Sequence, residues 1–412
     1  MSRSLGDVPT ATGAVPRAEA PGSLRAAALP LAIILAVAAA LRVAAAIMLP
    51  NQHLSDAEIY RLLAQHIWTL HSFDSSDRMP LYPLIVAVVG TGWSQRLFDI
   101  ALSTVTVWLL CDLTWVMFRD RRAALLAGAM AAVYPYFIFY AVIGLTETLF
   151  MTLMVVAFAA WYRGAFTRAA TFTALSILTR PIIDLLPPFL IFYFALVVRR
   201  LPLRGALRQL GVYVLIYVAL LTPWWIHNYN AYGTFVRLNL GSGLALYSGN
   251  NARNQSGGVS DVDLDTSQFD RIADPIARDR AARDAALAYI EADPVRFLKL
   301  AELKFLRFWR LYPFAEPYRS NLYVIASLLS FAPVLLLAVA FVLSCGFATL
   351  VNVVPLIMFA AYLTAVHVIT VGSTRYRLPI EPFLIVLAAP MLSRLYDAAQ
   401  RRLAGVQRAW KA

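Results

Sequence analysis

The sequence has 412 residues, of which 60% are hydrophobic and 15% are charged, and its mean hydropathy is +0.64. Soluble domains carry about 25% charged residues and at most about half apolar ones, so this composition excludes an ordinary water-soluble protein and predicts a polytopic membrane protein. The net charge of +12 arises from 36 Lys and Arg against 24 acids, but its distribution along the chain argues against a nucleic-acid partner.

The N-terminal part predicts a tail, a membrane span and an outer loop. Residues 1–26 are rich in Ala, Pro, Gly and Ser and lack apolar periodicity, which indicates a disordered cytoplasmic tail. The apolar segment 27–48 is longer than the apolar region of a signal peptide, so we expect a retained span. Residues 49–95 follow as a first outer loop, whose amphipathic stretches at 57–70 and 80–92 are expected on the membrane surface.

Nine further apolar segments bring the predicted spans to ten, and the first seven spans form an N-terminal module, 27–225. The nine lie at about 96–118, 123–141, 147–162, 169–180, 181–198, 209–225, 322–343, 348–371 and 378–393. The last three form a C-terminal group, 322–393, and 394–412 is a second cytoplasmic tail. The sequence therefore predicts an all-α polytopic fold of about ten helices.

Residues 226–321 lack spans and predict a small α-rich periplasmic domain. Asp274-Pro275 and Asp293-Pro294 each indicate a helix start with Pro at the first helical position. The second helix has an apolar face that we expect to lie on the membrane. That face contains Phe297, Leu300, Ala301, Lys304, Phe305 and Phe308.

The basic residues predict the orientation. With the N-terminus inside, the cytoplasmic segments hold 17 of the 36 Lys and Arg residues but only four acids. Short cytoplasmic loops accumulate Lys and Arg, so both termini are expected in the cytoplasm and the outer loops in the periplasm of a bacterial inner membrane. Cys111 and Cys345 lie in apolar segments and predict no disulfide.

Ionisable residues at membrane depth mark candidate functional sites. Under this topology they gather at the outer ends of the spans, as Asp56, Glu58, Arg78, Glu147, Arg180, His227, Arg375, Arg377 and Glu381. We expect one outward-facing cavity lined by carboxylates and guanidiniums, which suits a phosphorylated lipid. Asp56 or Glu147 is the candidate general base, and Arg78, Arg375 and Arg377 are the candidate phosphate ligands.

Structural interpretations of the same residues stay open at this stage. Asp56 with Glu58 is also typical of a solvated helix start, and Glu147 is also typical of helix capping. Arg375 and Arg377 are also typical of interfacial anchors. Asp112 and Asp184 are predicted to be buried, and Asp184 follows Arg180 by four residues, which favours a structural ion pair. A metal site of Asp56 with His53, His66 and His71 is disfavoured because these side chains share no clear helical face.

Seven short motifs, in order, resemble the GT-C glycosyltransferases, and within them the protein mannosyltransferases and lipid A aminoarabinose transferases. The resemblance covers about residues 27–395. The motifs are Ser55-Asp56-Ala57-Glu58-Ile59-Tyr60, Arg78-Met79-Pro80-Leu81-Tyr82-Pro83, Tyr134-Pro135 with Thr146-Glu147, Thr179-Arg180-Pro181, the stretch from Pro223 to Tyr229 with Gly233, Tyr247-Ser248-Gly249-Asn250-Asn251, and Arg375-Tyr376-Arg377-Leu378-Pro379.

The resemblance implies the GT-C fold and inverting transfer of a monosaccharide from a polyprenyl-phosphate donor to a lipid, glycan or protein acceptor. It implies Asp56 and Glu147 as the catalytic carboxylates. The substrate-binding positions that it implies are Glu58, Tyr60, Arg78, Tyr82, Arg180, His227, Asn228, Asn250, Asn251, Arg375, Tyr376 and Arg377. His227 departs from the family pattern, which has Arg there.

Cofactor and partner expectations follow from the same resemblance. No cofactor is implied with certainty, although some GT-C enzymes bind a divalent metal ion through the first-loop acid. We expect a monomer surrounded by membrane lipids.

Two competing functions stay open. A transporter or lipid flippase predicts symmetric halves and charges near the bilayer centre, whereas the charges here lie at one rim. A GT-C-like ligase that transfers whole oligosaccharides is disfavoured by the motif resemblance alone.

Overall fold

The computed structural model describes residues 27–49, 55–258, 264–313 and 320–409. These residues form α-helices joined by short turns, and no β-strand occurs among them, which confirms the predicted all-α class. The predicted tail 1–26 and His53 lie outside the described residues.

The helices are numbered in chain order. They are α1 Ala28–Met48, α2 Ser55–Leu70, α3 Leu81–Val89, α4 Trp93–Phe118, α5 Arg121–Ala132, α6 Pro135–Tyr140, α7 Glu147–Arg163, α8 Phe166–Thr179, α9 Pro187–Phe192, α10 Leu203–Tyr232, α11 Ser242–Gly249, α12 Ser267–Asp270, α13 Pro275–Ala292, α14 Pro294–Phe308, α15 Asn321–Ser344, α16 Phe347–Ile369, α17 Thr374–Arg377 and α18 Glu381–Ala409. Short 3₁₀ turns at Pro181–Ile183 and Leu378–Ile380 and a π-helix at Tyr193–Val198 complete the described elements.

Six segments are long and apolar enough to cross a membrane, so the chain is a multi-pass membrane protein. They are α1, α4, α10, α15, α16 and the run from α17 through most of α18. The other four predicted spans are also helical but are shorter or interrupted: α5 with α6, α7, α8, and α9 with its π-helical extension.

The predicted span at 123–141 is broken at Tyr134-Pro135. Proline disfavours helical backbone in the residue before it, and Tyr134 accordingly has φ −71° and ψ 115°. The break frees carbonyl groups at the end of α5. The fully buried Arg42 donates to two of them, Ala131 O at 3.3 Å and Ala132 O at 3.1 Å, and to Ser103 Oγ at 2.7 Å.

Arg180-Pro181 forms a second break, and here the predicted pair of Arg180 with Asp184 is wrong. Arg180 is extended, with φ −145° and ψ 114°, so it does not share a helical face with Asp184. Asp184 instead pairs with Arg237 and accepts a hydrogen bond from the Tyr217 hydroxyl at 2.6 Å.

The two longest helices between α10 and α15 are α13 and α14, and both begin where the sequence predicts. Asp274 caps α13, and the Asp293 side chain accepts from Arg296 N at the start of α14. The predicted membrane-facing side of α14 is wrong, because Leu300, Lys304 and Phe308 are buried. Phe305 of the predicted face is exposed, and so are the apolar side chains of Val295, Leu298, Leu303 and Leu306 outside it.

Helix α7 lies at the centre of the bundle, and 14 of its 17 residues are buried. It packs against α4 and α8, and Phe158 contacts both Phe359 of α16 and Phe383 of α18. Its first residue, Glu147, is therefore fixed at the end of the most enclosed helix. A carboxylate in such a place needs charged partners.

Candidate active site

Five charged side chains from distant parts of the chain meet in one network, which we call the arginine–carboxylate network. Arg78 Nη2 donates to Asp56 Oδ1 at 2.8 Å, and Arg375 Nη1 donates to Asp56 Oδ2 at 2.6 Å. Arg375 Nε donates to Glu147 Oε1 at 2.5 Å, and Arg180 Nη1 lies 2.9 Å from the same oxygen. Arg375 therefore bridges the two carboxylates.

Each member of the network is held at or beside a helix end. Asp56 lies in the first turn of α2, Glu147 begins α7, and Arg180 directly follows α8. Arg375 lies in the short helix α17, whose first turn is capped by Ser373 Oγ at 3.3 Å from Arg375 N. Side chains predicted to share one end of the bundle do so.

The network carries an excess of positive charge. Three guanidiniums face two carboxylates, and a third carboxylate, Asp77, lies 3.0 Å from Arg78 with 48% of its side chain exposed. Glu147 is fully buried, whereas Asp56 is 33% exposed. Solvent screens the charge of the exposed Asp77 more than the charges of the network. The net positive charge of the network is therefore only partly offset by Asp77, and it favours an anionic ligand.

A cavity of about 380 Å³ opens beside Arg375. Most of its wall is aromatic or aliphatic, and the guanidinium-bearing residues in it are Arg307 and Arg375. The lining residues are Pro135, Tyr136, Phe139, Tyr140, Leu145, Arg307, Pro313, Tyr323, Ala326, Ser327, Val371, Gly372, Ser373, Thr374, Arg375 and Tyr376. This combination suits a molecule with an apolar chain and an anionic head.

Two tyrosines of the first loop lie behind the network. The Arg78 guanidinium lies 5.7 Å from the centre of the buried Tyr60 ring, which packs edge-on against Tyr82. The Tyr82 hydroxyl donates to Asp99 Oδ2 at 2.7 Å and accepts from Gln95 Nε2 at 3.0 Å. Tyr60 thus supports Arg78, whereas Tyr82 belongs to a buried polar cluster that sequence analysis missed.

Glu58 lies outside the network. Its carboxylate pairs with Arg61 one helical turn along α2, and about half of its side chain is exposed. Asp56 and Glu58 are two residues apart, so they leave the helix on different sides. Glu58 as a substrate ligand stays a prediction.

The structure is similar to two solved membrane enzymes. The oligosaccharyltransferase AglB from Archaeoglobus fulgidus, in complex with an inhibitory peptide and a dolichol-phosphate, matches with a TM-score of 0.53 at 14% identity, over 92% of this chain and 52% of AglB. ArnT from Cupriavidus metallidurans in the apo state matches with a TM-score of 0.52 at 15% identity, over 93% of this chain and 63% of ArnT. No family model and no curated protein sequence matches the chain.

Both neighbours are GT-C membrane glycosyltransferases, and the match extends over almost the whole chain. The chain has the GT-C fold. It spans about half the length of AglB and less than two thirds of that of ArnT. The resemblance in the motifs and the likeness in structure therefore agree on the fold.

Three asparagines of the GT-C motifs make structural contacts. Asn228 Nδ2 donates to Val236 O at 2.9 Å and Leu238 O at 3.0 Å, which fastens the chain after α10. Asn251 Oδ1 accepts from the backbone N of Arg253 and Asn254. Asn250 Nδ2 donates to Leu246 O at 2.8 Å and to Ile369 O at 2.9 Å.

His227 does not contact the network. Its ring stacks on Trp224, with centroids 4.9 Å apart, and meets the edge of Phe73 at 5.7 Å.

Arg377, although only two residues from Arg375, faces away from the arginine–carboxylate network. It is fully buried, lies 2.8 Å from Glu381 Oε1, donates to Phe308 O at 3.4 Å and Arg310 O, and covers the Phe331 ring. Glu381 is equally buried and does not line the predicted cavity. Tyr376, between the two arginines, stacks on His367 with ring centroids 4.5 Å apart and contributes to the cavity wall.

The residues of the network do not fit a divalent metal ion. Both Asp56 oxygens accept hydrogen bonds from guanidiniums, so a cation there would face Arg78 and Arg375. His66 pairs with Asp74 at 2.9 Å, and the described residues contain no group of three or more His, Cys, Asp or Glu side chains able to hold a metal. One AglB structure is a complex with Zn and sulfate.

Proposed function

We propose that the protein is an inverting glycosyltransferase that moves a monosaccharide from a polyprenyl-phosphate donor to an acceptor on the periplasmic side of a bacterial inner membrane. The observation that carries the proposal is Asp56 held between Arg78 and Arg375 beside an apolar cavity. The acceptor is a lipid, glycan or protein with a nucleophilic oxygen.

The cavity and the excess charge support a polyprenyl-phosphate donor. An apolar wall suits a prenyl chain, and Arg375 at that wall suits its phosphate, because the planar guanidinium donates to two oxygens and keeps its charge. Dolichol-phosphate in the AglB complex shows this ligand class in a protein of the same fold. In our proposal the donor phosphate binds Arg78 and Arg375.

Phosphate binding also prepares the base. Arg78 and Arg375 occupy both oxygens of Asp56. A phosphate that draws these guanidiniums to itself leaves Asp56 free to accept a proton. Catalysis then requires the donor to bind before the acceptor is activated.

The transfer step balances as a single displacement. The acceptor oxygen attacks the anomeric carbon while its proton passes to a carboxylate oxygen of Asp56. The bond between the anomeric carbon and the phosphate oxygen breaks, and its electron pair leaves with polyprenyl phosphate, whose charge Arg78 and Arg375 stabilise. Attack opposite the leaving phosphate inverts the anomeric centre. Since Asp56 is 33% exposed, its proton returns to water.

Glu147 acts on Arg375 in this scheme. It is fully buried, and one oxygen accepts from both Arg180 and Arg375. Such a pairing keeps the Arg375 guanidinium in place when the donor phosphate replaces Asp56 as its partner. Glu147 is therefore proposed as the residue that orients the phosphate ligand.

The test is turnover by the purified protein in detergent. The protein is incubated with a panel of undecaprenyl-phosphate monosaccharides, undecaprenyl-diphosphate oligosaccharides and an envelope extract as acceptor. The proposal expects release of undecaprenyl phosphate from a monosaccharide donor, and product NMR should show the inverted anomer. Turnover of oligosaccharide donors alone indicates a ligase, and no turnover by folded protein contradicts the proposal.

A further inference from the structure

Lys304 is a buried lysine without an acidic partner among the described residues. It lies on α14, is 0% exposed, and its Nζ donates to Asn250 Oδ1 at 2.8 Å and to Ile369 O at 3.2 Å. Asn250 Nδ2 donates to the same Ile369 oxygen at 2.9 Å. The last carbonyl of α16 thus receives two side-chain hydrogen bonds from the segment between α10 and α15.

Three glycines allow the backbone to close tightly around this lysine. A Cβ on Gly372 would lie 2.5 Å from Lys304 O, and a Cβ on Gly257 would lie 3.0 Å from Lys304 Cγ. A Cβ on Gly249 would lie 1.6 Å from Thr370 O, so a side chain at this position would force the backbone apart. Gly372 N also donates to Gly257 O at 3.0 Å.

The backbone held in this way leads directly into the arginine–carboxylate network. Ile369 ends α16, and residues 370–374 connect it to Arg375. We call residues 370–374 the Arg375 loop. Four of its five residues, Val371, Gly372, Ser373 and Thr374, line the cavity beside Arg375. Any shift of this loop moves the guanidinium that bridges Asp56 and Glu147.

Packing alone does not account for a lysine here. Burial disfavours the charged form of Lys304, and two neutral oxygens compensate an ammonium less well than a carboxylate does. An unbranched apolar side chain such as Met fills the same space without that cost. A charged donor with several N–H groups, in contrast, can hold Ile369 O and Asn250 Oδ1 together.

We propose that Lys304 is a positioning residue for glycosyl transfer: by holding the Arg375 loop, it keeps Arg375 between Asp56 and Glu147. This inference rests on the proposed function. Lys304 touches no substrate in it and acts through Arg375.

The test compares Lys304→Met with Lys299→Met, a matched control on the exposed side of the same helix. Backbone hydrogen exchange across residues 370–374 measures how firmly the Arg375 loop is held, independently of enzymatic activity. We expect exchange about tenfold faster in Lys304→Met and unchanged in Lys299→Met, since a hydrogen bond from a charged group is lost only in the first. Donor KM should rise about tenfold in Lys304→Met.

A second variant keeps the proposal testable if Lys304→Met does not fold. Asn250→Asp retains an acceptor for Lys304 but removes the amide donor to Ile369 O, so exchange in the Arg375 loop should increase to an intermediate degree. The positioning role would be overturned if Lys304→Met increased exchange over the whole protein and not in the Arg375 loop. It would also be overturned if loop exchange stayed at the wild-type rate and donor KM did not change. If the wild type turns over no donor, the proposed function fails, while exchange still reports whether Lys304 holds the loop.

Discussion

Arg375 Nη1 lies 2.6 Å from Asp56 Oδ2, although the two residues are 319 positions apart in the sequence. Helix α2, near the N-terminus, and helix α17, near the C-terminus, are thereby joined at one ion pair. The same guanidinium also contacts Glu147, at the start of the central helix α7. This bridge is the contact on which the proposed chemistry depends.

Replacing Arg375 by Lys should weaken donor binding more than folding. A lysine keeps the charge, but a single ammonium cannot span Asp56 and Glu147 as the guanidinium does. We expect the Kd for undecaprenyl phosphate in detergent to rise about tenfold, with the melting temperature lowered by only a few degrees. Isothermal titration checks the Kd. The control is Arg237→Lys, which changes the ion pair of Arg237, just after α10, with Asp184. An unchanged Kd would mean that Arg375 is a membrane-interface anchor.

Glu147→Gln should destabilise the protein as well as impair catalysis. The buried carboxylate balances Arg180 and Arg375; its loss leaves Arg180 without a carboxylate partner and Arg375 with Asp56 alone. Breaking a buried pair from one side costs about 3–5 kcal/mol. Thermal unfolding in detergent should show a clear decrease in melting temperature, with kcat reduced in the fraction that stays folded. A stable variant with wild-type kcat would show that Glu147 orients nothing.

Arg377 and Glu381 should behave as a structural pair. Both are fully buried and face each other at 2.8 Å. Arg377→Met or Glu381→Leu alone leaves an uncompensated charge and should cost about 3–5 kcal/mol, whereas the double variant should recover most of that stability. Donor Kd should not change in the double variant. A double variant that is stable but has lost donor binding would return Arg377 to the substrate site.

The stability contributed by Lys304 should depend on pH. Burial lowers the pKa of the Lys304 ammonium from 10.5 to about 8. Between these pH values the unfolded chain holds a proton that the folded chain lacks, so stability rises with pH over this range, by about 3 kcal/mol at most. The melting temperature of the wild type minus that of Lys304→Met should therefore increase from pH 8 towards pH 10.5. The corresponding difference for Lys299→Met should be flat, and a falling difference for Lys304→Met would contradict the assignment.

The sequence predicts the network because its members are ionisable residues at helix ends within motifs. Asp56, Arg78, Glu147, Arg180 and Arg375 were all expected at one rim, and all meet there. The GT-C fold follows from the same motifs together with the apolar segments. What the motifs do not give is the direction in which each side chain points.

Arg375 and Arg377 illustrate this difference. In a helical turn, residues two apart leave the axis about 200° from each other, so both cannot face one site. The motif contains both, yet only Arg375 reaches the carboxylates, while Arg377 turns to Glu381. Helical geometry applied to Arg375-Tyr376-Arg377 predicts that one arginine is structural, but not which one.

The sequence predicts Lys304 on an apolar face of α14, and it predicts that this face lies on the membrane. The same stripe with Leu300 and Phe308 packs inside the protein instead. A lysine within an apolar stripe can either extend its ammonium to the membrane surface or bury it inside the protein. Contacts with Asn250 and Ile369 decide between the two, and no local sequence pattern contains them.

The most direct measurement is single-turnover release of undecaprenyl phosphate by wild type, Asp56→Asn and the control Asp74→Asn, each first shown to bind undecaprenyl phosphate. Asp56→Asn keeps the shape of the side chain but cannot accept the proton, and it removes a carboxylate that competes for Arg78 and Arg375. The account predicts that this variant binds undecaprenyl phosphate at least as tightly as the wild type. It also predicts that the variant cleaves the donor to undecaprenyl phosphate at least about 100-fold more slowly, since general-base catalysis contributes about 10²–10⁴-fold. Asp74→Asn should match the wild type. Wild-type release by Asp56→Asn would contradict the central claim that Asp56 is the base.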